Sequence, residues 1–302
     1  MRIKIKIPIQ MPYNLLPTIQ SHGWYQLLPN KFDGEKNTIT RVEQLASGNV
    51  VLLSICGAPY QTAQLTVHVR YIKPLQPHEV KEIKRRVSHM FRLDEDLSDF
   101  YALCRLIGGK WKHMPVGSGY LMRSPLLFED IVKVICTTNI QWGGTKRMVS
   151  EIVEAFGEPF PSNPKLKSFP SPISVAAVSF EQFQDRVRLG YRAAYIYQLA
   201  VKIATGDLDL DASFHTGLPT DTLRKRLMNI KGIGAYGAAS LLMLMGRYNR
   251  IPVDTVFRDH MQSTCFGSDP YDERRALDYF SRWGSWKSLA YWVALSGVLK
   301  EE

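Results

Sequence analysis

The sequence has few cysteines, and they form no pattern typical of a metal centre. Cys56, Cys104, Cys136 and Cys265 are far apart among the 302 residues, and no two of them form a C-x-x-C pair. Neither a zinc site nor a disulfide framework is indicated, and a reducing compartment is expected.

Long apolar runs are also absent. No stretch approaches the roughly 20 apolar residues of a membrane-spanning helix. The first residues, MRIKIKIPIQMPYNLLP, alternate charged and apolar side chains and lack the unbroken apolar segment of a signal peptide. We therefore expect a soluble, non-secreted protein that does not associate with a membrane.

Acidic residues are fewer than basic ones, 28 against 38, which gives a net charge of +10. Such an excess is consistent with a polyanionic partner, although many basic proteins bind none. The hydrophobic content of 45% over this length is enough to bury a core in one large or two medium domains.

Hydrophobic periodicity changes along the chain and predicts an α+β protein. Alternating or compact apolar segments up to about Leu75 predict β-strands at residues 2–9, 49–56 and 63–72. After the proline-bearing stretch KPLQPHE, helical spacing dominates. We predict a β-rich N-terminal domain over residues 1–78 and a mostly α-helical domain over residues 79–302.

Within the helical part, two amphipathic helices flank the polar segment TTNIQWGG, and residues 161–172 are expected to form a surface loop. Two short helices over residues 221–246 are joined by Lys231-Gly232-Ile233-Gly234, and the first is expected to be capped by Thr220 or Asp221. The glycines of this turn would expose backbone amides that can hold a phosphate oxygen. The alternative is an ordinary αα-hairpin with a glycine C-cap.

Asp254 follows Ile-Pro-Val and precedes a predicted helix. It is either a helix N-cap or a carboxylate that stabilises positive charge on a sugar, and the two roles are compatible.

The stretch LMNIKGIGAYGAASLLMLMG…IPVDTVF resembles the helix-hairpin-helix (HhH-GPD) signature of the DNA glycosylase superfamily. The segment ICTTNIQWGGTKRMV is similar to a helix and turn of its 8-oxoguanine and 3-methyladenine branches, and LGYRAAYI is similar to a Gly-Tyr-Arg segment of 8-oxoguanine glycosylase. The resemblance implies an antiparallel N-terminal domain like the TATA-binding-protein sheet and a helical glycosylase domain. It also implies double-stranded DNA with damaged bases as the partner.

Residue by residue, the resemblance implies that Asp254 is the catalytic aspartate. Asn139 would fill the hole left by a flipped base, and Tyr191 with Arg192 would supply the wedge and the contacts to the orphan base. The alternatives are that Asn139 is a turn residue, that Tyr191 packs on a helix face and that Arg192 is a solvated charge. Phosphate contacts are implied for backbone amides of Gly232, Gly234 and Gly237, and Lys231 is a phosphate contact or a solvated charge.

Tyr236 is a departure from relatives with lyase activity, because they carry a lysine at its position. A phenol cannot form an imine, so a monofunctional glycosylase is predicted. Its pocket would be lined by Tyr236, Ser240, Trp142 and Tyr291, with core packing as the alternative for Trp142 and Tyr291. An alkylated or otherwise modified purine is the expected substrate. Alternatives are a bifunctional 8-oxoguanine-type glycosylase/lyase that uses another lysine, a non-catalytic damaged-DNA-binding protein and an unrelated structural protein.

No cofactor is required by this interpretation. Only Cys265 follows Asp254, whereas the family's iron–sulfur cluster needs four cysteines there, so no cluster is expected. The resemblance permits a sodium or potassium ion on the backbone carbonyls of Met228, Ile230 and Ile233. A monomer is expected, located with the DNA in the cytoplasm of a bacterium or in the nucleus of a eukaryote.

Overall fold

The computed structural model describes residues 1–214 and 217–299, and these residues form two compact units. Unit 1 comprises Met1–Asp94 and Tyr120–Ser213, and unit 2 comprises Glu95–Gly119 and Phe214–Glu302. The division predicted at residue 78 stays a prediction, because the compact units follow packing and not the order of strands and helices. Among the described residues, no helix has the length and apolar character needed to cross a membrane.

Unit 1 contains a five-stranded antiparallel sheet in the order β1-β5-β4-β3-β2. Its strands are β1 (Arg2–Pro8), β2 (Lys31–Asp33), β3 (Thr38–Gln44), β4 (Val50–Cys56) and β5 (Gln64–Arg70). The three strands predicted from periodicity are confirmed as β1, β4 and β5. The predicted α+β class is confirmed as well, whereas the likeness of the sheet to TATA-binding protein stays a prediction.

The sheet has one buried and one open face, as side-chain alternation requires. On the buried face the register brings together the apolar residues Ile5, Val67, Ile55 and Ile39, each at most 4% exposed. At the alternate positions, Val42 and Leu52 are apolar and buried, and most of the other side chains are polar or charged and exposed or half-buried.

One α-helix of unit 1 lies between β1 and β2 in the sequence, and the others come after β5. They are α1 (Leu15–Ile19), α2 (Pro77–Met90), α4 (Leu127–Thr137), α5 (Trp142–Phe156), α6 (Pro172–Ala176), α7 (Phe180–Arg186), α8 (Arg192–Ala204) and α9 (Leu210–Ser213). The loop expected over residues 161–172 is wrong in part, because β6 (Pro159–Phe160) and β7 (Asn163–Lys167) form a short hairpin there. Phe160 packs on Val42 and Leu52 of the sheet, and this burial stabilises the hairpin.

A buried ionic network joins the sheet to α2 and α4. Arg41 of β3 bonds Glu43 at 2.5 Å and Glu129 of α4 at 2.8 Å, and Arg86 of α2 bonds Glu43 at 2.5 Å. Lys133 adds a bond to Glu129 at 2.6 Å. Burial opposes ionisation of Glu129, but the charges of Arg41 and Lys133 outweigh it and hold the pKa at about 2. The network therefore keeps its charges paired inside the unit.

Unit 2 is helical. Its helices are α3 (Ser98–Ile107), α10 (Thr220–Met228), α11 (Ala235–Leu244), α12 (Thr255–Met261), α13 (Glu273–Tyr279) and α14 (Lys287–Leu295). Aromatic rings dominate its core: the ring centroid of Trp283 lies 4.2 Å from Trp111 and 5.6 Å from Phe100. The cap expected at Thr220 or Asp221 is wrong, because α10 begins after Pro219 and has no side-chain cap bond.

Candidate functional site

The turn between α10 and α11 leaves glycine backbone open. Gly232 has a φ of +90°, a conformation that favours glycine, whereas Gly234 is extended at −89°. A Cβ atom added at Gly234 would meet nothing within 4 Å. Among the described residues, no hydrogen bond engages the backbone amide of Gly232 or Gly234. These N–H groups, beside the N-terminus of α11, are able to hold an anion.

The remaining hairpin residues differ in accessibility. Lys231 is exposed, whereas Gly237 is buried within the first turn of α11. The carbonyl of Ile230 accepts a hydrogen bond from the N–H of Ile233 at 3.0 Å. Since a carbonyl oxygen has two lone pairs, this bond leaves one for a cation. Among the described residues, no group of three or more His, Cys, Asp or Glu side chains could hold a metal ion.

Asp254 is the N-cap of α12. Its Oδ1 accepts a hydrogen bond from the N–H of Phe257 at 2.8 Å, which confirms the expected cap. Burial raises the pKa of this half-buried carboxyl, and the amides of Phe257 and Val256 partly offset the effect. The carboxylate is thus fixed in orientation and incompletely solvated, as a group that stabilises transient positive charge should be.

Tyr291 of α14 is close to Asp254 and Tyr236. Its side chain is 1% exposed, and burial, together with the negative charge of Asp254 and the neighbouring phenol of Tyr236, raises the pKa of its phenol. Its ring centroid lies 5.0 Å from that of Phe257 in an edge-on arrangement. The structure therefore brings together the predicted residues Asp254, Tyr236 and Tyr291.

Ser240 follows Tyr236 by one helical turn. Its hydroxyl donates to the carbonyl of Tyr236 at 3.0 Å, so this proton is already used within α11. The hydroxyl oxygen still has acceptor capacity, and the role of Ser240 in a pocket stays a prediction.

His260 and Lys110 were missed from the sequence. The ring centroid of His260 lies 6.0 Å from that of Tyr291, and burial, with the positive charge of Lys110, lowers the pKa of His260. His260 is on the same helix as Asp254, which was an available signal. Lys110 is far away in the sequence, and no local motif marked it.

The predicted plug and wedge residues lie together in unit 1. Asn139 is exposed, has a φ of +47° and lies in the turn between α4 and α5. Arg192, only 6% exposed, donates to the backbone carbonyl of Thr138 and, at 3.5 Å, to that of Asn139. Its guanidinium carbon is 4.5 Å from the ring centroid of Tyr191, which is 52% exposed. The solvated-charge alternative for Arg192 is therefore wrong, because its buried guanidinium donates to backbone carbonyls of the turn between α4 and α5.

Trp142 packs at the start of α5, within unit 1. Its Nε1 donates to Oε1 of Gln26 at 2.9 Å, and a Cβ atom added at Gly23 would lie 2.2 Å from its ring. Gly23 thus leaves the space that the indole occupies. These contacts agree with the packing alternative, and a place for Trp142 in a base pocket stays a prediction.

Known proteins with similar sequences are DNA glycosylases, although no protein-family model matches the chain. The chain is 25% identical over 230 residues to DNA-3-methyladenine glycosylase of Bacillus subtilis, a match that covers 74% of each protein. It is 24% identical over 251 residues to the N-glycosylase/DNA lyase of Saccharomyces cerevisiae, which covers 71% of this chain and 66% of the yeast protein. The predicted resemblance to helix-hairpin-helix DNA glycosylases is confirmed.

Solved structures of such glycosylases share the fold. The 3-methyladenine DNA-glycosylase from Archaeoglobus fulgidus has a TM-score of 0.74 at 16% identity and covers 97% of this chain and 98% of its own. The 8-oxoguanine glycosylase/lyase of Clostridium acetobutylicum, in complex with double-stranded DNA containing cytosine opposite 8-oxoG, has a TM-score of 0.60 at 18% identity, with 90% and 97% covered. The likeness therefore extends well beyond the hairpin.

Proposed function

We propose that the protein is a DNA N-glycosylase of base excision repair that uses Asp254 to remove a damaged base from duplex DNA. The observation that carries the proposal is the placement of Asp254, half-buried and capped on Phe257, beside Tyr236 and Tyr291. The names of both sequence relatives support glycosylase activity. Double-stranded DNA is the proposed partner, and the fold shared with a DNA-bound glycosylase/lyase supports it.

The chemistry needs a carboxylate next to the sugar. As the bond between C1′ and the base nitrogen breaks, its electron pair leaves with the base and positive charge develops on the sugar. The Asp254 carboxylate stabilises that charge and accepts a proton from the water whose oxygen bonds to C1′. The product is an abasic site in an uncut strand.

Tyr236 is the basis for a monofunctional mechanism. Its phenol lies at the second position of α11, where relatives with lyase activity have a lysine, and it cannot form a Schiff base. Lys133 is no replacement, because it is fully buried and bonded to Glu129 at 2.6 Å. Lys231 is exposed on the hairpin and is the lysine to test first.

The proposed substrate is an alkylated or otherwise modified purine. An N-alkylated purine carries positive charge, so it stacks favourably on an electron-rich ring such as that of the half-buried Tyr236. It also leaves as a neutral base without first gaining a proton, which suits a site where one carboxylate is the central group.

Base removal requires extrusion of the nucleotide from the stack, at a cost of a few kcal/mol. Asn139, exposed on its turn, is proposed to fill the vacancy, with Tyr191 beside it at the duplex. Amides of Gly232, Gly234 and Gly237 would hold a phosphate, with Lys231 nearby. A monovalent cation on the carbonyls of Met228, Ile230 and Ile233 is part of the proposal, and no further cofactor is needed.

The test is base release from a panel of labelled duplexes, each with a single alkylated, oxidised, deaminated or mispaired base. Mass spectrometry identifies the released base, and Asp254→Asn is the matched variant. Wild type should release an alkylated purine and Asp254→Asn should release none. Release by both proteins would contradict the assigned role of Asp254.

Two alternatives follow from the same site. A bifunctional glycosylase/lyase, as named for the yeast relative, would be trapped on DNA by borohydride, and Lys231→Gln would abolish trapping if Lys231 were the nucleophile. A non-catalytic binding protein would bind lesions tightly and release no base from any duplex of the panel.

A further inference from the structure

The outward face of the five-stranded sheet carries basic residues on both edge strands and on β5, and the β6–β7 hairpin covers it at Val42 and Leu52. The strand register places one row of side chains across it: Lys4, His68, Ser54, Thr40 and Lys31. Arg2, Lys6 and Arg70 flank this row on the same face. All the cations of this group are exposed. We call this surface, defined by Arg2, Lys4, Lys6, Lys31, Ser54, Thr40, His68 and Arg70, the outer sheet face.

Like charges stand directly opposite each other there. Arg2 pairs in register with Arg70, an arrangement that destabilises a sheet, and Lys4 lies opposite His68. Among the described residues, Arg2, Lys4, Lys6, Lys31 and Arg70 form no ion pair with a carboxylate. Asp33 lies on the same face of β2, but it pairs with Lys36 at 3.1 Å. The repulsion therefore has no anionic counterpart within the sheet.

Protection of an exposed strand edge explains only part of this charge. Lysines on an edge strand prevent pairing with other chains, and β1 is an edge strand that carries Lys4 and Lys6. Arg70 and His68, however, are on β5, which lies between β1 and β4. An inner strand has no free edge to protect. Arg70 lies over the ring of Phe160, 5.9 Å from its centroid, but the residue remains exposed, so its charge is available to an anion.

The centre of the row offers neutral hydrogen-bonding groups. The hydroxyl of Thr40 donates to that of Ser54 at 3.3 Å, a contact that a better acceptor can replace. Proteins contact DNA phosphates with Arg and Lys and also with Ser and Thr. With strands about 4.8 Å apart, Lys4 and Lys31 are separated by roughly 19 Å. That exceeds the roughly 12 Å width of a DNA major groove, so phosphates on both sides of a groove are within reach.

The basic surface continues beyond Lys31. A cavity of about 370 Å³ is lined by Lys31, Thr40 and Leu52 from the sheet, by Lys165 and Lys167 of the β6–β7 hairpin and by one carboxylate, that of Glu154. Lys165 is exposed, like Lys31. Two lysines thus stand at the rim of one concavity at the end of the row.

We propose that the outer sheet face binds the phosphate backbone of duplex DNA, as a contact surface additional to the hairpin of residues 231–234. The choice of DNA as the polyanion rests on the proposed function. The binding itself requires no excision chemistry, so undamaged duplex DNA is the appropriate probe.

The experiment compares two variants with the same change in charge. The face variant carries Lys4→Gln, Lys6→Gln and Arg70→Gln, and the control carries Lys81→Gln, Lys84→Gln and Arg85→Gln. The control residues are exposed on α2, a helix whose Arg86 bonds Glu43 on the other face of the sheet. Fluorescence anisotropy with an undamaged labelled duplex gives Kd at several salt concentrations.

Each phosphate contact contributes about 0.9 to the slope of log Kd against log salt. The face variant should lose roughly 2 to 3 from this slope, while the control keeps the wild-type slope. Equal slopes for the two variants would overturn the proposal. Because like-charge repulsion is relieved, the face variant should unfold at a temperature no lower than wild type. Should it fold poorly, Arg70→Gln alone should lower the slope by about 1, and an unchanged slope would overturn the proposal too.

Failure here is distinct from failure of the proposed function. Under single-turnover conditions, the α2 control variant should release a lesion base at the wild-type rate, because its residues lie outside the hairpin, the Asp254 site and the outer sheet face. A protein that releases no base yet loses salt dependence in the face variant would refute excision and leave the DNA-binding face standing. A protein that releases the base normally but shows the same salt slope for wild type and the face variant would support excision and refute the DNA-binding face.

Discussion

The Oδ1 atom of Asp254 accepts a hydrogen bond from the backbone N–H of Phe257 at 2.8 Å, and this bond fixes the carboxylate at the start of α12. Asparagine caps a helix about as well as aspartate, whereas alanine does not. The residue proposed for catalysis is thus also structural, and the two roles can be separated by substitution.

Asp254→Asn should abolish base release while leaving the protein as stable as wild type or slightly more so. The pKa of the Asp254 carboxyl is raised in the folded state, so the folded protein binds a proton more tightly than the unfolded chain does. The free energy of unfolding therefore falls as the pH rises through the titration range of this carboxyl. The advantage of Asp254→Asn over wild type should therefore appear above the ordinary pKa of 3.8 and be absent well below it. Denaturant unfolding at several pH values measures it.

Asp254→Ala is the matched comparison. It removes the cap as well as the charge, and we expect a loss of about 1 kcal/mol of unfolding free energy relative to Asp254→Asn. Equal stability of the two variants would show that the bond to Phe257 contributes nothing.

Tyr236→Lys tests whether the identity of one residue sets the product. Wild type should form no covalent adduct with DNA under borohydride, because a phenol cannot form an imine. An amine placed at the second position of α11 should attack C1′ and yield a trapped adduct. Tyr236→Phe is the control and should give none. Trapping of wild type would refute the monofunctional mechanism.

Arg192→Met should loosen the turn that carries Asn139. The buried guanidinium donates to the carbonyl of Thr138, and a buried acceptor without a partner costs about 1–3 kcal/mol. Arg192→Lys should recover part of the loss. Duplexes with 2-aminopurine opposite a lesion report base extrusion, which should weaken in Arg192→Met and recover in Arg192→Lys. Tyr191→Phe, which keeps the ring over the guanidinium, should unfold like wild type; unchanged stability in Arg192→Met would contradict the positioning role.

Local sequence patterns predicted those strands and helices in which the buried residues are apolar and the exposed residues are polar. Strands β1, β4 and β5 alternate or cluster apolar residues, and all three were predicted. Strand β3 was missed because the positions that face the sheet's buried side are Ile39, Arg41 and Glu43, so two of these three residues look solvent-facing. Only the partners Glu129 and Arg86, from distant segments, make their burial possible.

The candidate site shows the same division. Asp254 and the hairpin glycines have local signatures, because a cap and a tight turn are set by adjacent residues. The contact of Arg192 with Thr138 joins residues 54 apart, and the proximity of Lys110 to His260 spans a longer separation still. No periodicity encodes such pairings, which depend on how helices pack.

Ionised Glu129 is needed for the stability of unit 1 at acid pH. Its pKa of about 2 lies below its ordinary value of 4.5, so its contribution to stability is complete above about 4.5 and is lost as pH falls towards 2. Glu129→Gln removes the ion-pair partner of the buried Lys133 and leaves Arg41 paired with Glu43 alone, and it should cost about 3–5 kcal/mol at pH 7. Asp33→Asn, at an exposed pair with Lys36, should leave the unfolding free energy close to that of wild type. Because Glu129→Gln lacks the Glu129 carboxylate, its unfolding free energy should fall less steeply than that of wild type between pH 4.5 and 2. Parallel acid-unfolding curves for wild type and Glu129→Gln would show that the buried network does not limit stability in acid.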